Sequence, residues 1–432
     1  MASTYLSRNT WGTATDSKIF TISTWVKRSG LPAASRVICE SYDGVTGYSP
    51  ALYFNASYQL RFDHDGTGTT SLATNQLFRD CNGFYHIVIS VDTTQATSSN
   101  RVKMYVNGEQ ITSFSTETYP TQNSTTQLFN NSNANNIGSA WSGGAYFDGS
   151  MAHFHFIDGT QYAASDFGET DATTGIWKPK TAPSVTYGTN GFFLKFENSG
   201  SMGTDSSGNG NNFTVNGNLT QNIDTPSNVF ATWNPLIDFY PTYTSTLSNG
   251  NLSTTRTDNG GSLATIMPSK GKWYMEAKCG TVAIYNRLGV VPYDKITDNE
   301  FNPDNKGVSY QSDGDKVVDG TASTYGSTYT TGDIIGIALN LDDGEITFYK
   351  NGVAQNSGTP ITGFTYDGAN SLTVGGSGST WSWDCNFGNG YFGTTAVSSA
   401  QNPDDGIGIF EYSVPTGYRA LCTKSINAQE YS

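Results

Sequence analysis

The chain has 432 residues, enough for two or three domains at roughly 100–200 residues each. Only 36% are apolar and 14% charged, with 48 glycines and 13% aromatics. This mix excludes a coiled coil, a helical bundle and a highly charged disordered chain. The formal net charge is −14, with 12 Lys/Arg against 17 Asp/Glu over residues 1–230 and 11 against 20 over the rest. No basic block is available to displace phosphate counterions, so no nucleic-acid partner is expected.

The elements follow in chain order. Ile19–Lys27 (IFTISTWVK) has the β-branched and aromatic content of a strand. In His86–Val91, Ile87, Ile89 and Val91 share one face, and Val102, Met104 and Val106 repeat the alternation up to the hairpin dipeptide Asn107-Gly108. Residues 111–140 are rich in Ser, Thr and Asn and read as a long exposed loop or edge. Gly149–Asp158 is a further strand, Phe167–Lys180 is irregular with one helical turn, and Phe192–Phe196 is strand again. Dense Gly, Asn and Ser at 201–229 mark a linker, with a boundary near Asp224-Thr225-Pro226. Beyond it, Trp273, Met275, Ala277 and Cys279 share a face, as do Ile335, Ile337, Leu339 and Leu341. Asp343-Gly344 then turns the chain into Glu345–Lys350, which ends at a second Asn-Gly, Asn351-Gly352. Short, evenly spaced strands with Gly/Asn turns predict an all-β protein of two tandem β-sandwiches.

Five cysteines (Cys39, Cys81, Cys279, Cys385, Cys422) form no CxxC pair. They read as buried reduced thiols, with a single Cys279–Cys385 bridge as the alternative. No apolar stretch near Met1 suggests a secretory leader, and no apolar run is long enough to span a bilayer. Membrane insertion is not expected.

In the first half, FTISTWVKRS (20–29), FYHIVISVD (84–92), VKMYVNG (102–108) and HFIDG (155–159) resemble laminin G-like, concanavalin A-like jelly rolls. In the second, GKWYMEAK (271–278), GVSYQSDGD (307–315), GDIIGIALNLDDGEITFYKNG (332–352) and CNFGN (385–389) resemble a SPRY domain. The resemblances imply a jelly roll at 1–200, a linker at 201–229, a SPRY-like sandwich at 230–395 and a tail at 396–432 packing back on a sandwich. The start MASTYLSR, the segments FIDGTQYAASDFGETDATTGIWKPK, DSSGNGNNFT and DTPSNVFATWNPL, and the close PTGYRALCT are similar to virion proteins of marine, cyanophage-type bacteriophages. That resemblance implies a virion protein made in the host cytoplasm, with other virion proteins as partners and a homo-oligomer, by analogy a trimer.

Catalytic patterns are sparse. Glucanases of the concanavalin A-like class need Glu-x-Asp-x-x-Glu; here Glu169 and Asp171 are followed by Thr174. No GxSxG elbow occurs, and His86 reads as structural. His153 and His155 sit i,i+2, either as a metal pair or as ordinary strand residues. Asp63–Gly68 is a strand-joining turn or a Ca²⁺ loop. The expectation is no enzyme, no metal and no cofactor. Binding candidates are the aromatics placed in Gly/Asn-rich surroundings: Trp141 and Tyr146 in SAWSGGAYFDG, and Tyr293, Tyr310, Tyr325 and Trp381 in the second half, where SPRY relatives use end loops such as 293–304. An adhesin (fibre, spike or decoration) that binds host-surface glycan is the expected function. A structural cementing protein with degenerate lectin folds is the alternative.

Overall fold

The structure, a computed structural model, describes residues 3–42, 49–64, 70–125, 127–130, 133–238, 245–282, 284–295, 307–377 and 380–430. It forms two compact units, Met1–Gln221 and Asn222–Ser432.

The first unit opens with β1 (Tyr5–Arg8), β2 (Ile19–Arg28), β3 (Arg36–Ser41), β4 (Ala51–Phe54), β5 (Gln59–His64) and β6 (Thr70–Leu77). It continues with β7 (Tyr85–Asp92), β8 (Val102–Val106), β9 (Glu109–Ile111), β10 (Phe114–Thr118), β11 (Asn135–Ile137) and β12 (Gly149–Asp158). The hairpin β13 (Gly168–Thr170) and β14 (Trp177–Pro179), then β15 (Phe192–Leu194) and β16 (Thr214–Asn216), complete it. An eight-stranded sheet runs β10-β6-β5-β4-β3-β11-β1-β16, and a six-stranded sheet β15-β12-β2-β7-β8-β9. Between them lies one core built from the inward half of each alternation, including Ile22, Leu52, Phe62, Ile89, Met104, Phe129 and Phe156. The predicted Asn-Gly turn joins β8 to β9 with φ of 50° at Asn107 and 90° at Gly108, the left-handed pair that matches strand twist.

Three expectations change here. The stretch 111–140 is an edge only at β10, the exposed outer strand of the eight-stranded sheet; further on β11 lies inside that sheet, and Leu128 and Phe129 are fully buried. Residues 167–180 are mostly the β13–β14 hairpin, preceded by a 3₁₀ turn at Ala164–Asp166. Together with Tyr162 and Tyr187, this segment covers the outer face of the six-stranded sheet around Val88 and Ile157. The expected linker is divided between the units. The Asp205 carboxylate accepts backbone N–H bonds from Phe193, Ser207 and Asn211, and β16 pairs with β1. Residues from Asn222 onward belong to the second unit.

The second unit begins with β17 (Trp233–Asp238), β18 (Thr246–Ser248), β19 (Ser253–Arg256), β20 (Gly260–Ala264), β21 (Lys272–Cys279) and β22 (Tyr285–Pro292). Next come β23 (Val308–Gln311), β24 (Asp315–Val318), β25 (Thr321–Thr324), β26 (Ile334–Asn340), β27 (Glu345–Lys350) and β28 (Val353–Ala354). Last are β29 (Asn370–Ser377), β30 (Trp381–Asn386), β31 (Tyr391–Phe392), β32 (Thr395–Ala396), β33 (Arg419–Ala420) and the helix α1 (Thr423–Glu430). One sheet runs β17-β20-β29-β22-β23-β24-β25; the other runs β18-β19-β30-β21-β26-β27-β28, with β33 added in parallel on β21. Their shared core holds Trp233, Trp273, Leu288, Ile337, Phe348, Trp381 and Trp383. Residues 396–422 return as a strap over the outer face of the second sheet, where Phe410 meets Tyr274 edge-on at 5.0 Å. All five cysteines are buried free thiols. Cys279 pairs across the ladder with Trp383 and Cys385 with Ala277, so the two thiols occupy different register rows and no Cys279–Cys385 bridge forms.

Candidate functional site

Two adjacent register rows cross the eight-stranded sheet of the first unit. Leu6, Ile137, Cys39, Leu52, Phe62 and Leu72 are successive partners and point into the core. One residue along each strand, Ser7, Asn136, Glu40, Ala51, Asp63 and Ser71 are successive partners on the outer face. Strand period alone dictates this separation. The outer row is polar, and Ala51 leaves a gap between two carboxylates.

The loop 138–147 folds over one end of this row. It is closed by Gly138 N–H to the Ile38 carbonyl (2.8 Å), Phe147 N–H to Gly138 (2.9 Å) and Val37 N–H to Ala145 (2.9 Å). Gly143 and Gly144 take φ of 81° and 90°, which a residue with a Cβ rarely adopts. At the tip Trp141 stacks on Tyr42, ring centroids 4.0 Å apart and 21° from parallel. Tyr146 lies 6.2 Å from Tyr5. All four rings are half-buried. The Trp141 backbone N–H and the Ser49 hydroxyl donate to the Glu40 carboxylate, whose burial pushes its pKa up to about 7. Further across, the Tyr53 hydroxyl donates to Asp63 (2.7 Å), Arg61 pairs with the same carboxylate (3.0 Å) and donates to Ser71 (3.1 Å). The face thus combines aromatic rings with a carboxylate that still has lone pairs to offer. That is what binding a sugar ring with its hydroxyl rim requires.

Of the six candidate residues, Trp141 and Tyr146 are brought together here, and Tyr293 stands apart in the second unit, 50% exposed in a 3₁₀ turn. Tyr310, Tyr325 and Trp381 are core residues and correct the expectation of surface platforms. Tyr310 faces inward on β23 opposite Leu288, with its hydroxyl bonded to the Ser327 carbonyl. Tyr325 packs edge-on against Phe348, and the Trp381 N–H donates to the Asp258 carbonyl at 2.7 Å. Tyr329 and Trp383, also in loop-like sequence, are buried as well. Within the segment 293–304, residues 296–304 lie outside the described residues. Glu40, Tyr42 and Tyr53 were missed, and Asp63 entered only as part of a turn or Ca²⁺ loop. The alternation in RVICESY, with Ile38 and Cys39 near the bulge and Glu40 and Tyr42 outward, was the available signal.

Other chemistry resolves into structure. Ser23 and His86 are 2.9 Å apart, but the Trp177 indole N–H donates to His86 Nδ1 at 3.0 Å. The neutral ring then carries its proton on Nε2 and donates to Ser23, the reverse of a general base. Burial pushes the His86 pKa down to about 3. His153 and His155 do not share a regular strand face: the pairing shifts register between Ala152 and His155, and His153 has φ of 48°. His155 is buried on Phe193 and bonded to the Tyr187 hydroxyl at 2.9 Å. Among the described residues no group of three or more His, Cys, Asp or Glu is placed to hold a metal ion. Residues 65–68 of the proposed Ca²⁺ loop lie outside the described residues; Asp63 is engaged as above, and His64 points inward, accepting from Gln127 N–H at 3.2 Å. Glu169 lies on β13, and Asp171 is taken by Lys178 at 2.8 Å. A shallow depression of about 430 Å³, lined by Gly12–Ser17 and Asn130, holds no aromatic side chain.

Residues 2–165 match the Laminin_G_3 family of the concanavalin A-like lectin/glucanases superfamily, and residues 273–375 match the SPRY domain family. The chain carries a concanavalin A-like domain followed by a SPRY domain, and both are typically binding modules rather than catalytic ones. Among solved structures, it is similar to the SPRY domain of human HERC1, at 18% identity over 35% of this chain and 96% of that one, TM-score 0.30. It is also similar to stonustoxin, at 18% identity over 36% and 27%, TM-score 0.29. A human SPRY domain aligns at 16% identity over 32% and 93%, TM-score 0.26. No curated protein sequence matches the chain.

Proposed function

We propose that this chain is a non-enzymatic surface protein of a bacteriophage virion, a fibre, spike or decoration that binds host-surface glycan. The contact surface is the outer face of the eight-stranded sheet, and the Tyr42–Trp141 stack above Glu40 is the observation that carries the reading. Support for the virion setting comes from the sequence segments quoted above, and the concanavalin A-like and SPRY domains support a binding role. The reading includes contacts with other virion proteins and self-association, with a trimer expected by analogy. Exposed Tyr293 is a candidate contact on the second unit. A glycan array tests the binding arm: the full chain retains at least one glycan, and Trp141→Ala loses it. Binding unchanged in Trp141→Ala sinks the assignment of this face. Cryo-EM of the particle tests the setting. Density at a fibre or tail tip supports attachment, density cementing a capsid or tail wall makes the role structural, and absence from purified particles ends the virion reading.

A further inference from the structure

The charge layout of the same face says which glycans it takes; this step rests on the glycan-binding reading. The two rows described above carry no cationic side chain; the nearest cation on β5 is Arg61, two residues along from Asp63, and its guanidinium is already engaged by Asp63 and Ser71 and lies 5.9 Å from the Tyr53 ring. Glu40, by contrast, sits in the middle of the outer row between Asn136 and Ala51, with Asp63 on the far side of Ala51. Among the described residues, the polar and charged groups placed toward it are Tyr53, with Asp63 and Arg61 beyond it on β5, Asn136 from β11, Ser49, and Trp141 from the loop with Tyr42 stacked on it. None of these brings an unpaired positive charge to Glu40. Two donors fix the carboxylate, and it keeps acceptor capacity toward a ligand hydroxyl. A ligand carboxylate or sulfate placed there meets a like charge in a partly desolvated site, where water screens it poorly.

We propose that Glu40 is the specificity-determining residue of this face, which takes neutral, hydroxyl-rich polysaccharide and excludes uronate- or sulfate-bearing ones. Mild acid relaxes the exclusion, because burial already holds the Glu40 pKa at about 7. The test is affinity electrophoresis of the full chain in neutral glucan, mannan and galactan, and in the carboxymethylated derivative of each. At about pH 8.5 the wild type is expected to bind a neutral polymer at least about tenfold more tightly than its carboxymethylated form. Glu40→Gln collapses that ratio toward one. Glu109→Gln, which removes an equally charged but exposed carboxylate on β9, leaves the ratio unchanged and so accounts for net charge. Lowering the wild type to about pH 5.5 narrows the ratio without any substitution, which covers a Glu40 variant that folds poorly. Equal binding of neutral and anionic forms by the wild type, or a Glu40→Gln ratio no different from Glu109→Gln, overturns the proposal. Failure of the wild type to bind any neutral polymer, or full binding by Trp141→Ala, overturns the glycan-binding reading itself and this step with it.

Discussion

Glu276 lies on β21 beneath the strap and is fully buried. Its two oxygens accept the backbone N–H groups of Glu411 (2.8 Å) and Tyr412 (2.9 Å), and the Tyr274 hydroxyl at 3.2 Å. Burial outweighs these donors and pushes the pKa up to about 7. The folded state therefore keeps a proton that the unfolded state releases. The associated stability is fully present below the ordinary carboxylate range and is lost as pH rises through about 7. Glu276→Gln should flatten that slope in denaturant titrations from pH about 5 to about 8. Its amide NH₂ faces one of the two strap donors, so it should also cost about 1–3 kcal/mol at the acid end and raise amide exchange at Glu411 and Tyr412. A paired comparison separates surface aromatics from core ones. Tyr310→Ala should cost about 3–5 kcal/mol in urea unfolding, as a buried ring lost from a packed core. Trp141→Ala removes one half-exposed stacking contact and should cost about 1 kcal/mol. Equal costs would mean that the two rings share the same kind of environment.

The strands were legible wherever one face is buried and the other wet. Trp273–Cys279, Ile335–Leu341 and the hairpin to Asn351-Gly352 follow simple alternation, and the left-handed Asn-Gly turn at Asn351 has φ of 49°. Reading failed where strands are buried on both faces or carry polar residues inward. β11 reads Asn-Asn-Ile and is fully buried because the Asn135 side chain bonds Ser41 and that of Asn136 bonds the turn at Ser139–Ala140. Tyr310 reads as a binding candidate from the Gly- and Asp-rich residues around it, yet Val-Ser-Tyr-Gln forms the fully buried strand β23. The site depended on the same kind of blind spot. Composition marked Trp141 and Tyr146, but Glu40, Tyr53 and Asp63 come from three strands whose register no local signal fixes. The loop carrying Trp141 has its own test. Gly144→Val meets open space, so its cost comes from φ of 90° alone and should be about 1–2 kcal/mol. The expected readout is a red shift in tryptophan emission and weakened glycan binding as Trp141 leaves Tyr42, with the core intact by near-ultraviolet circular dichroism.

All four histidines belong to the first unit, and His64, His86 and His155 are buried neutral with pKa values pushed down, to about 4 for His64 and about 3 for His86. A depressed histidine loses its contribution as pH falls from its unfolded value toward the folded one. Each such ring should cost the first unit up to about 2 kcal/mol by about pH 5, with the raised Glu40 offsetting part of it. The second unit has no histidine, and its raised Glu276 acts in the opposite direction. Scanning calorimetry between about pH 7.5 and about pH 5.5 should show one transition moving down and another moving up or holding. Two transitions that fall together would contradict the assignment.

Each unit is closed by pairing its first segment with its last. In the first, β1 accepts β16 as a neighbour; in the second, Ala231 N–H bonds the Leu421 carbonyl, and Val229 and Thr423 exchange bonds. On a ribosome this sets an order of events. The first unit cannot complete the β1 edge of its sheet until β16 has been synthesised, and in the second unit, whose main sheets are complete by β30, residues 229–231 have no partner until 421–423 are made. Translation stalled between residues 390 and 418 should therefore leave a protease-resistant first unit attached to a second still open to protease at residues 229–231, while release of the full chain protects both.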